Sequence, residues 1–188
     1  MRLFLAINLP SSTVEAIDRA VDPLRAAAPA LRWVPPERWH LTVRFIGERE
    51  STSIAEIGGA LDMAVRAHSV AALTIGGVGA FPGFRRARVV WMGIAPDPRL
   101  EMLHHDIESA CIALGMEPEG RPFRPHLTLA RVPVGTEPPV LRALSRAARA
   151  VRYGETIDAD AVDLMASDAI HGGRQYTLLH SSPLGAAH

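Results

Sequence analysis

The chain has 188 residues, which is enough for one domain with a sizeable apolar core. Its 20 basic side chains balance 20 acidic ones, so the overall charge gives no sign of a nucleic-acid binder, and any site for a polyanion has to be a local basic patch. The single cysteine, Cys111, excludes an intrachain disulfide and a cysteine-based zinc site, and we expect it to pack inertly in the core.

The first residues, MRLFLAINLPSS, contain one arginine and an apolar run shorter than the roughly 7–15 residues of a secretory signal. No apolar run in the chain approaches the roughly 20 residues that span a bilayer. We therefore expect a cytoplasmic monomer that does not bind membranes.

Apolar periodicity and capping residues predict short strands interspersed with helices. Strand-like runs occupy residues 3–7, 39–47, 72–81, 89–93, 124–132, 155–167 and 174–184. Helical spacing of apolar residues occurs at 14–21, 53–68, 100–107 and 140–148. Two helix starts carry capping signals, namely capping-box spacing at Ser12–Glu15 and Asp97 followed by Pro98. This mixture predicts an α+β fold with two sheets.

The sequence contains one internal repeat. His126 follows His40 by 86 positions, and an ungapped shift by that number places residues 3–7 on 89–93 and the apolar positions of the first helix on those of the third. The repeat covers approximately 1–47 and 87–133 of a single two-lobed domain, 1–188. We expect a bilobal α+β fold, in which two strand–helix–strand lobes are related by a pseudo-twofold axis and antiparallel or mixed sheets face a central cleft.

Each repeat contains a strand with the pattern His-x-Thr, HLTV at His40 and HLTL at His126. Side chains alternate across a strand, so each histidine shares a face with its threonine, and the intervening apolar residues occupy the other face. Pseudo-twofold packing can bring the two polar faces together in one groove. That groove would contain two imidazoles and two hydroxyls but no carboxylate.

This set of groups suits acid–base chemistry on a phosphodiester. Two histidines with ordinary pKa values near 6.5 can act as general base and general acid, and two hydroxyls can donate hydrogen bonds to oxygens on which charge develops. The alternative is a zinc site. It is disfavoured because neither strand places Asp, Glu, Cys or a third His at ligand spacing. The sequence therefore predicts catalysis without a metal or other cofactor.

The two motifs and their surroundings resemble the 2H phosphoesterase superfamily, and within it the RNA 2′,3′-cyclic phosphodiesterases, also called 2′-5′ RNA ligases. The similarity extends over RLFLAINLP, LRWVPPERWHLTVRFIGE, GAFPGFRRARVVWMGI, RPFRPHLTLAR and RQYTLLHSSPL. It implies a bilobal fold with the motifs in a central cleft, and metal-free opening of a terminal RNA 2′,3′-cyclic phosphate to a 2′-phosphate. It also implies 2′-5′ ligation, in which an RNA 5′-hydroxyl takes the place of water.

The resemblance also implies roles. His40 would be the proton donor to the departing O3′ and His126 the proton acceptor from water, although the residues alone do not decide which histidine is the acid. Thr42 and Thr128 would hold the phosphate oxygens. Arg131 is associated with phosphate in relatives that carry HxTxxR, but strict alternation places it opposite His126, so its use requires a bulge. Arg44 lies four residues after His40, so strict alternation places it on the same face as His40. It is predicted to contact phosphate instead of Arg131 or together with it.

The expected partner is an RNA with a 2′,3′-cyclic phosphate end, such as a tRNA half. We expect Phe84 to stack on a base and Arg124 to meet the RNA backbone, together with further arginines of 85–88 and Arg121, whereas Phe81 is assigned to the core. Two alternatives remain. One is a two-histidine phosphodiesterase for ADP-ribose cyclic phosphate or 2′-5′ oligonucleotides, and the other is an RNA-end binding module without turnover.

Overall fold

The computed structural model describes residues 1–69, 71–170 and 173–185. Its strands are Arg2–Asn8 (β1), Arg32–Trp33 (β2), His40–Glu48 (β3), Ala71–Phe81 (β4), Val89–Ile94 (β5), His126–Arg131 (β6), Gly154–Ala159 (β7), Ala161–Ile170 (β8) and Gly173–Pro183 (β9). Its helices are Ser11–Ala20 (α1), Asp22–Ala27 (α2), Ile54–Val65 (α3), Pro98–Ala113 (α4) and Pro138–Ala150 (α5). This mixture confirms the α+β class.

The strands pair in the order β7-β4-β5-β6-β3-β1-β8-β9, with β2 on β6, and every pairing is antiparallel. We call β3-β1-β8-β9 the β3 half and β7-β4-β5-β6 with β2 the β6 half. The two halves meet at one residue pair between β3 and β6, Leu41 with Leu127. The two predicted sheets are thus joined into one, with the repeat on either side of the junction.

The repeat needs a one-residue gap that the ungapped comparison missed. Thr42 pairs with Ala6 and Thr128 pairs with Trp91, so β1 and β5 are equivalent at a separation of 85 positions rather than 86. The difference matters because a shift by one residue moves every side chain of a strand to the other face. With the gap, buried Leu5 corresponds to buried Val90, as the packing requires.

The predicted strand 155–167 is two strands. β7 pairs with β4 and β8 pairs with β1, so they lie in different halves although only Asp160 separates them in the chain. The backbone carbonyl of Asp160 accepts a hydrogen bond from Leu184 N–H at 2.7 Å. The strand-like pattern of the sequence continues across this residue. Only the different pairing partners of β7 and β8 show that the strand is interrupted there.

The helices cover one side of the sheet and bury its apolar side chains. The buried set includes Leu5, Ile7, Leu41 and Leu127 from the strands and Ile17, Leu103, Ile107 and Leu144 from the helices. Cys111 lies in this core, as predicted, and burial raises the pKa of its thiol.

Of the two helix-start predictions, one is confirmed. The side chain of Asp97 accepts hydrogen bonds from Arg99 N–H and Leu100 N–H, and so caps α4. α1 instead begins after Pro10 without a side-chain capping bond, so the predicted capping box at its start is wrong.

Candidate active site

The two motif strands place both His-x-Thr pairs on the side of the sheet that the helices do not cover, which we call the open face. Leu41 and Leu127, which lie between the polar residues, are 1% and 0% exposed, whereas both histidines and both threonines are half-buried. The strand periodicity predicted this division.

The β3–β6 pairing brings the two motifs together. Because the strands are antiparallel and Leu41 pairs with Leu127, the register sets Thr42 beside His126 and His40 beside Thr128. The electrostatic effect of His126 on His40 is consistent with this proximity. The predicted convergence of two imidazoles and two hydroxyls is therefore present.

Both histidines are held by the same backbone contact. Nδ1 of His40 lies 2.8 Å from the carbonyl oxygen of Arg38, and Nδ1 of His126 lies 2.6 Å from that of Arg124. A carbonyl oxygen can only accept, so Nδ1 carries the proton in each case. Nε2 of each neutral ring is then the basic nitrogen, and each protonated ring presents an Nε2–H.

The surroundings of His40 are aromatic. Its ring lies 4.9 Å from that of Phe4 and 5.4 Å from that of Tyr176, measured between centroids. Burial lowers the pKa of His40; the Arg38 carbonyl opposes this effect, and His126 adds to the lowering. His40 is thus biased toward the neutral form in the free protein.

His126 has a different aromatic pair. Its ring lies 5.1 Å from Phe81 and 6.4 Å from Trp91, and these two rings lie 5.1 Å apart. Trp91 lies across Gly79, its partner on β4, where a Cβ would collide with the indole. Glycine at position 79 therefore lets the indole lie close against β4.

A bulge follows each His-x-Thr pair and decides where the next polar residues point. On β3 the ladder with β1 skips Val43, and on β6 the ladder with β5 skips Leu129. Two consecutive residues are buried at each bulge, after which exposed Phe45 and exposed Arg131 return to the open face. Arg131 therefore shares the face of His126, as its predicted role requires.

The same bulge makes the prediction for Arg44 wrong. Arg44 is only 2% exposed and lies on the helix-covered side. Its Nε pairs with Oε2 of Glu108 on α4, and its Nη2 donates to the Glu117 carbonyl at 2.8 Å. Arg44 has a structural partner and is not available to a phosphate.

The assignments of the phenylalanines are corrected too. Phe84 is half-buried and packs against Ala80, Ala87 and Leu141, so it is not a free stacking surface. Phe81, assigned to the core from sequence, is instead the residue beside His126. The side chain of Arg124 is exposed, and its contact with RNA stays a prediction.

Sequence reasoning missed several residues on the open face. Phe45 is 55% exposed and stands at the position of the repeat that Arg131 occupies in the β6 half. Arg32, also exposed, pairs directly with Arg131 across β2 and β6. The shift of 86 positions relates Phe45 to Arg131 and could have revealed it. Nothing local pointed to Arg32 or Tyr176, which reach the site through pairing with distant strands.

Within residues 1–69, 71–170 and 173–185, one group of three side chains has donor atoms close enough for a metal ion: His104, Glu108 and Glu119. Glu108 is already bound by Arg44 and by the backbone N–H of Glu119 at 2.8 Å. The His104 ring stacks on Phe123, with centroids 4.1 Å apart. The buried guanidinium of Arg44 therefore already supplies a positive charge beside Glu108.

No helix in the described part of the chain is long and apolar enough to cross a membrane.

The chain is similar to known proteins in both sequence and structure. The model of the 2′-5′ RNA ligase superfamily matches residues 12–169. An RNA 2′,3′-cyclic phosphodiesterase from Aeropyrum pernix is 31% identical over 168 residues, which cover 89% of this chain and 94% of that protein. Another, from Geobacillus stearothermophilus, is 29% identical over 157 residues. That match covers 82% of this chain but 50% of the relative, so the chain spans about half that relative's length.

Solved structures agree with the sequence comparison. The crystal structure of E. coli LigT complexed with 3′-AMP matches with a TM-score of 0.74 and 29% identity, over 97% of each chain. Similarity therefore extends over nearly the whole chain, beyond the two short motifs.

Proposed function

The chain belongs to the 2′-5′ RNA ligase superfamily, and on this premise we propose that it is an enzyme that opens the terminal 2′,3′-cyclic phosphodiester of RNA to a 2′-phosphomonoester. The observation that carries the proposal is the pair of anchored histidines. Each has Nδ1 on a backbone carbonyl and a threonine of the other motif beside it.

The proposed reaction is a displacement at phosphorus. Nε2 of His126 accepts a proton from water while the water oxygen bonds to phosphorus. The bond from phosphorus to O3′ breaks, and Nε2–H of His40 gives its proton to O3′. The 2′-phosphate remains on the ribose, and a proton transfer between the two rings through solvent restores the starting state.

The neighbouring groups support this displacement. The hydroxyls of Thr42 and Thr128 donate to the non-bridging oxygens, on which charge develops. Arg131, on the same face, adds positive charge. Because burial lowers the pKa of His40 in the free protein, the acid form depends on the bound anion, whose negative charge favours the imidazolium.

We propose ligation as a second activity of the same groups. An RNA 5′-hydroxyl in place of water would lose its proton to His126 and form a 2′-5′ linkage, and the description of the matching family favours this reaction.

A binding module without turnover would not require two histidines anchored with Nε2 of each ring left for proton transfer.

The direct test is incubation of the protein with RNA ending in a 2′,3′-cyclic phosphate, in the presence of EDTA. We expect a 2′-phosphate end to form at the same rate with and without the chelator. ADP-ribose cyclic phosphate and a 2′-5′ oligonucleotide are assayed alongside. A faster rate on either, or loss of activity in EDTA with recovery on adding Zn²⁺ or Mn²⁺, would contradict the proposal.

A further inference from the structure

The two halves of the open face have different chemistry at equivalent positions. In the β3 half, exposed Phe45 pairs with Phe4, which pairs with Met165, and Leu178 continues this apolar row on β9. In the β6 half, the position equivalent to Phe45 is Arg131, with Arg32 directly across β2. The row beside Phe45 is therefore apolar, whereas the equivalent position in the β6 half is basic.

Three more arginines lie in the β6 half. Arg85, Arg86 and Arg88 are exposed in the turn between β4 and β5. The backbone of Arg88 ties this turn to the strand ends, since its N–H donates to Phe81 at 2.8 Å and its carbonyl accepts from Val132 at 2.9 Å. The turn is therefore fixed next to the end of β6 that carries Arg131.

These arginines have no acidic partner in the part of the chain that the structure describes. No carboxylate oxygen there lies within 4.0 Å of the guanidinium groups of Arg32, Arg85, Arg86, Arg88 or Arg131. Glu137, at the start of α5, is the nearest acidic residue along the chain after β6. In a protein with zero formal net charge, this is a local excess of positive charge.

A groove of about 510 Å³ lies between this turn and the loop that joins β6 to α5. Its lining includes Pro82, Arg85, Arg86, Val132, Gly135 and Thr136. Two of its lining residues directly follow, in the chain, residues that lie at the site. Pro82 directly follows Phe81, whose ring contacts His126, and Val132 directly follows Arg131.

We propose that the RNA chain leaves the catalytic site at the Arg131 end, and that Arg32, Arg85, Arg86 and Arg88 bind the phosphates upstream of the terminal nucleotide. The inference rests on the proposed function, because it takes the terminal phosphate to lie at the histidines. Guanidinium groups suit phosphodiesters, whereas the apolar row at the Phe45 end offers phosphates no partner.

The distance along the strand separates this site from the catalytic one. Arg131 is five residues beyond His126, so their Cα atoms are roughly 16 Å apart at the rise of an extended strand, a distance that the long side chain of Arg131 can partly span. Arg85 and Arg86, which line the groove, lie in the turn beyond the end of β4, at the same end of the sheet as Arg131. We therefore expect a mononucleotide held at the histidines not to contact Arg85 and Arg86, and an oligonucleotide to reach them.

The test compares adenosine 2′,3′-cyclic phosphate with an RNA hexanucleotide that ends in the same group. The variant is Arg85→Gln with Arg86→Gln. The matched control is Arg19→Gln with Arg146→Gln, which removes the same charge from exposed positions on α1 and α5. We expect the groove variant to lower kcat/KM for the hexanucleotide on the order of tenfold at low salt, with the mononucleotide unchanged. The slope of log(kcat/KM) against the logarithm of the salt concentration, measured with the hexanucleotide, should become shallower by roughly 1.4. Each phosphate contacted on a single strand contributes roughly 0.7, and the variant removes two such contacts.

Unchanged hexanucleotide kinetics, equal losses on both substrates, or the same loss in the control pair would each overturn the inference. If the wild-type protein turns over neither substrate, the proposed function is wrong. The proposed phosphate-binding site is then tested by a measurement of RNA binding alone. Fluorescence anisotropy with a labelled hexanucleotide ending in a 2′-phosphate should then show weaker binding by the groove variant than by the control. Equal affinities would refute the site.

Discussion

Replacement of Arg44 by methionine separates the structural role of this residue from the phosphate-binding role that sequence parity suggested. Methionine retains much of the buried volume but removes the guanidinium. The change breaks the pair with Glu108 and leaves the carbonyl of Glu117 without its donor. Glu108 is itself only 16% exposed, so its carboxylate stays largely buried with less compensation.

The size of the effect follows from this burial. Breaking a buried ion pair by removing one partner costs about 3–5 kcal/mol in the free energy of unfolding. Glu108 keeps the hydrogen bond from Glu119 N–H, so we expect the lower end, about 3 kcal/mol. In a domain of this size that corresponds to a fall in Tm of roughly 6–12 °C.

Urea denaturation measures the loss, and kcat/KM on cyclic-phosphate RNA well below Tm should stay within about threefold of wild type. Arg44→Met with Glu108→Gln should be more stable than Arg44→Met alone, because no unpaired carboxylate remains buried. Arg131→Met should show the opposite behaviour, with unchanged stability and kcat/KM reduced roughly 10²-fold. An Arg44→Met protein of wild-type stability with a large loss of activity would refute this reasoning.

Three further predictions concern the catalytic groups. Thr42→Ala and Thr128→Ala should each slow turnover roughly 10²–10³-fold without changing the unfolding curve, and losses below about threefold in both would show that the hydroxyls do not contact developing charge. His40→Ala and His126→Ala should each cost roughly 10²–10⁴-fold. A nitrophenolate leaving group needs little protonation and should rescue only His40→Ala, whereas rescue of His126→Ala alone would reverse the two roles. The dependence of kcat/KM on pH should be bell-shaped. Because burial lowers the pKa of His40, the acid-side apparent pKa of the pair should fall below the ordinary 6.5, and two limbs that both lie above that value would be inconsistent with this assignment.

The contacts of the two histidine rings are partly local in the sequence and partly set by tertiary structure. The carbonyls of Arg38 and Arg124 each belong to the residue two positions before the histidine, so the contact is local and occurs in both repeats. The aromatic neighbours are not. Tyr176 reaches His40 from β9, and Phe81 reaches His126 from β4, through strands that do not pair directly with the motif strands.

The sequence by itself determined those features that depend on neighbouring residues. Alternation along a strand placed His40 with Thr42 and His126 with Thr128, opposite buried Leu41 and Leu127, and helical spacing found the apolar faces of the helices. The cap at Asp97 likewise depends on its own first turn. These signals are local, since side-chain direction and capping follow from a few residues of backbone geometry.

Tertiary structure alone decided the placement of Arg44 and Arg131. Their positions depend on bulges, and a bulge exists only in relation to a partner strand, β1 for β3 and β5 for β6. Arg44 then lies on the buried side because Glu108, 64 residues away on α4, compensates its charge there. Pairing with a distant strand does not alter the pattern of apolar and polar residues within a segment. Strict alternation therefore predicted Arg44 on the open face and Arg131 on the opposite face, and the paired strands place them the other way round.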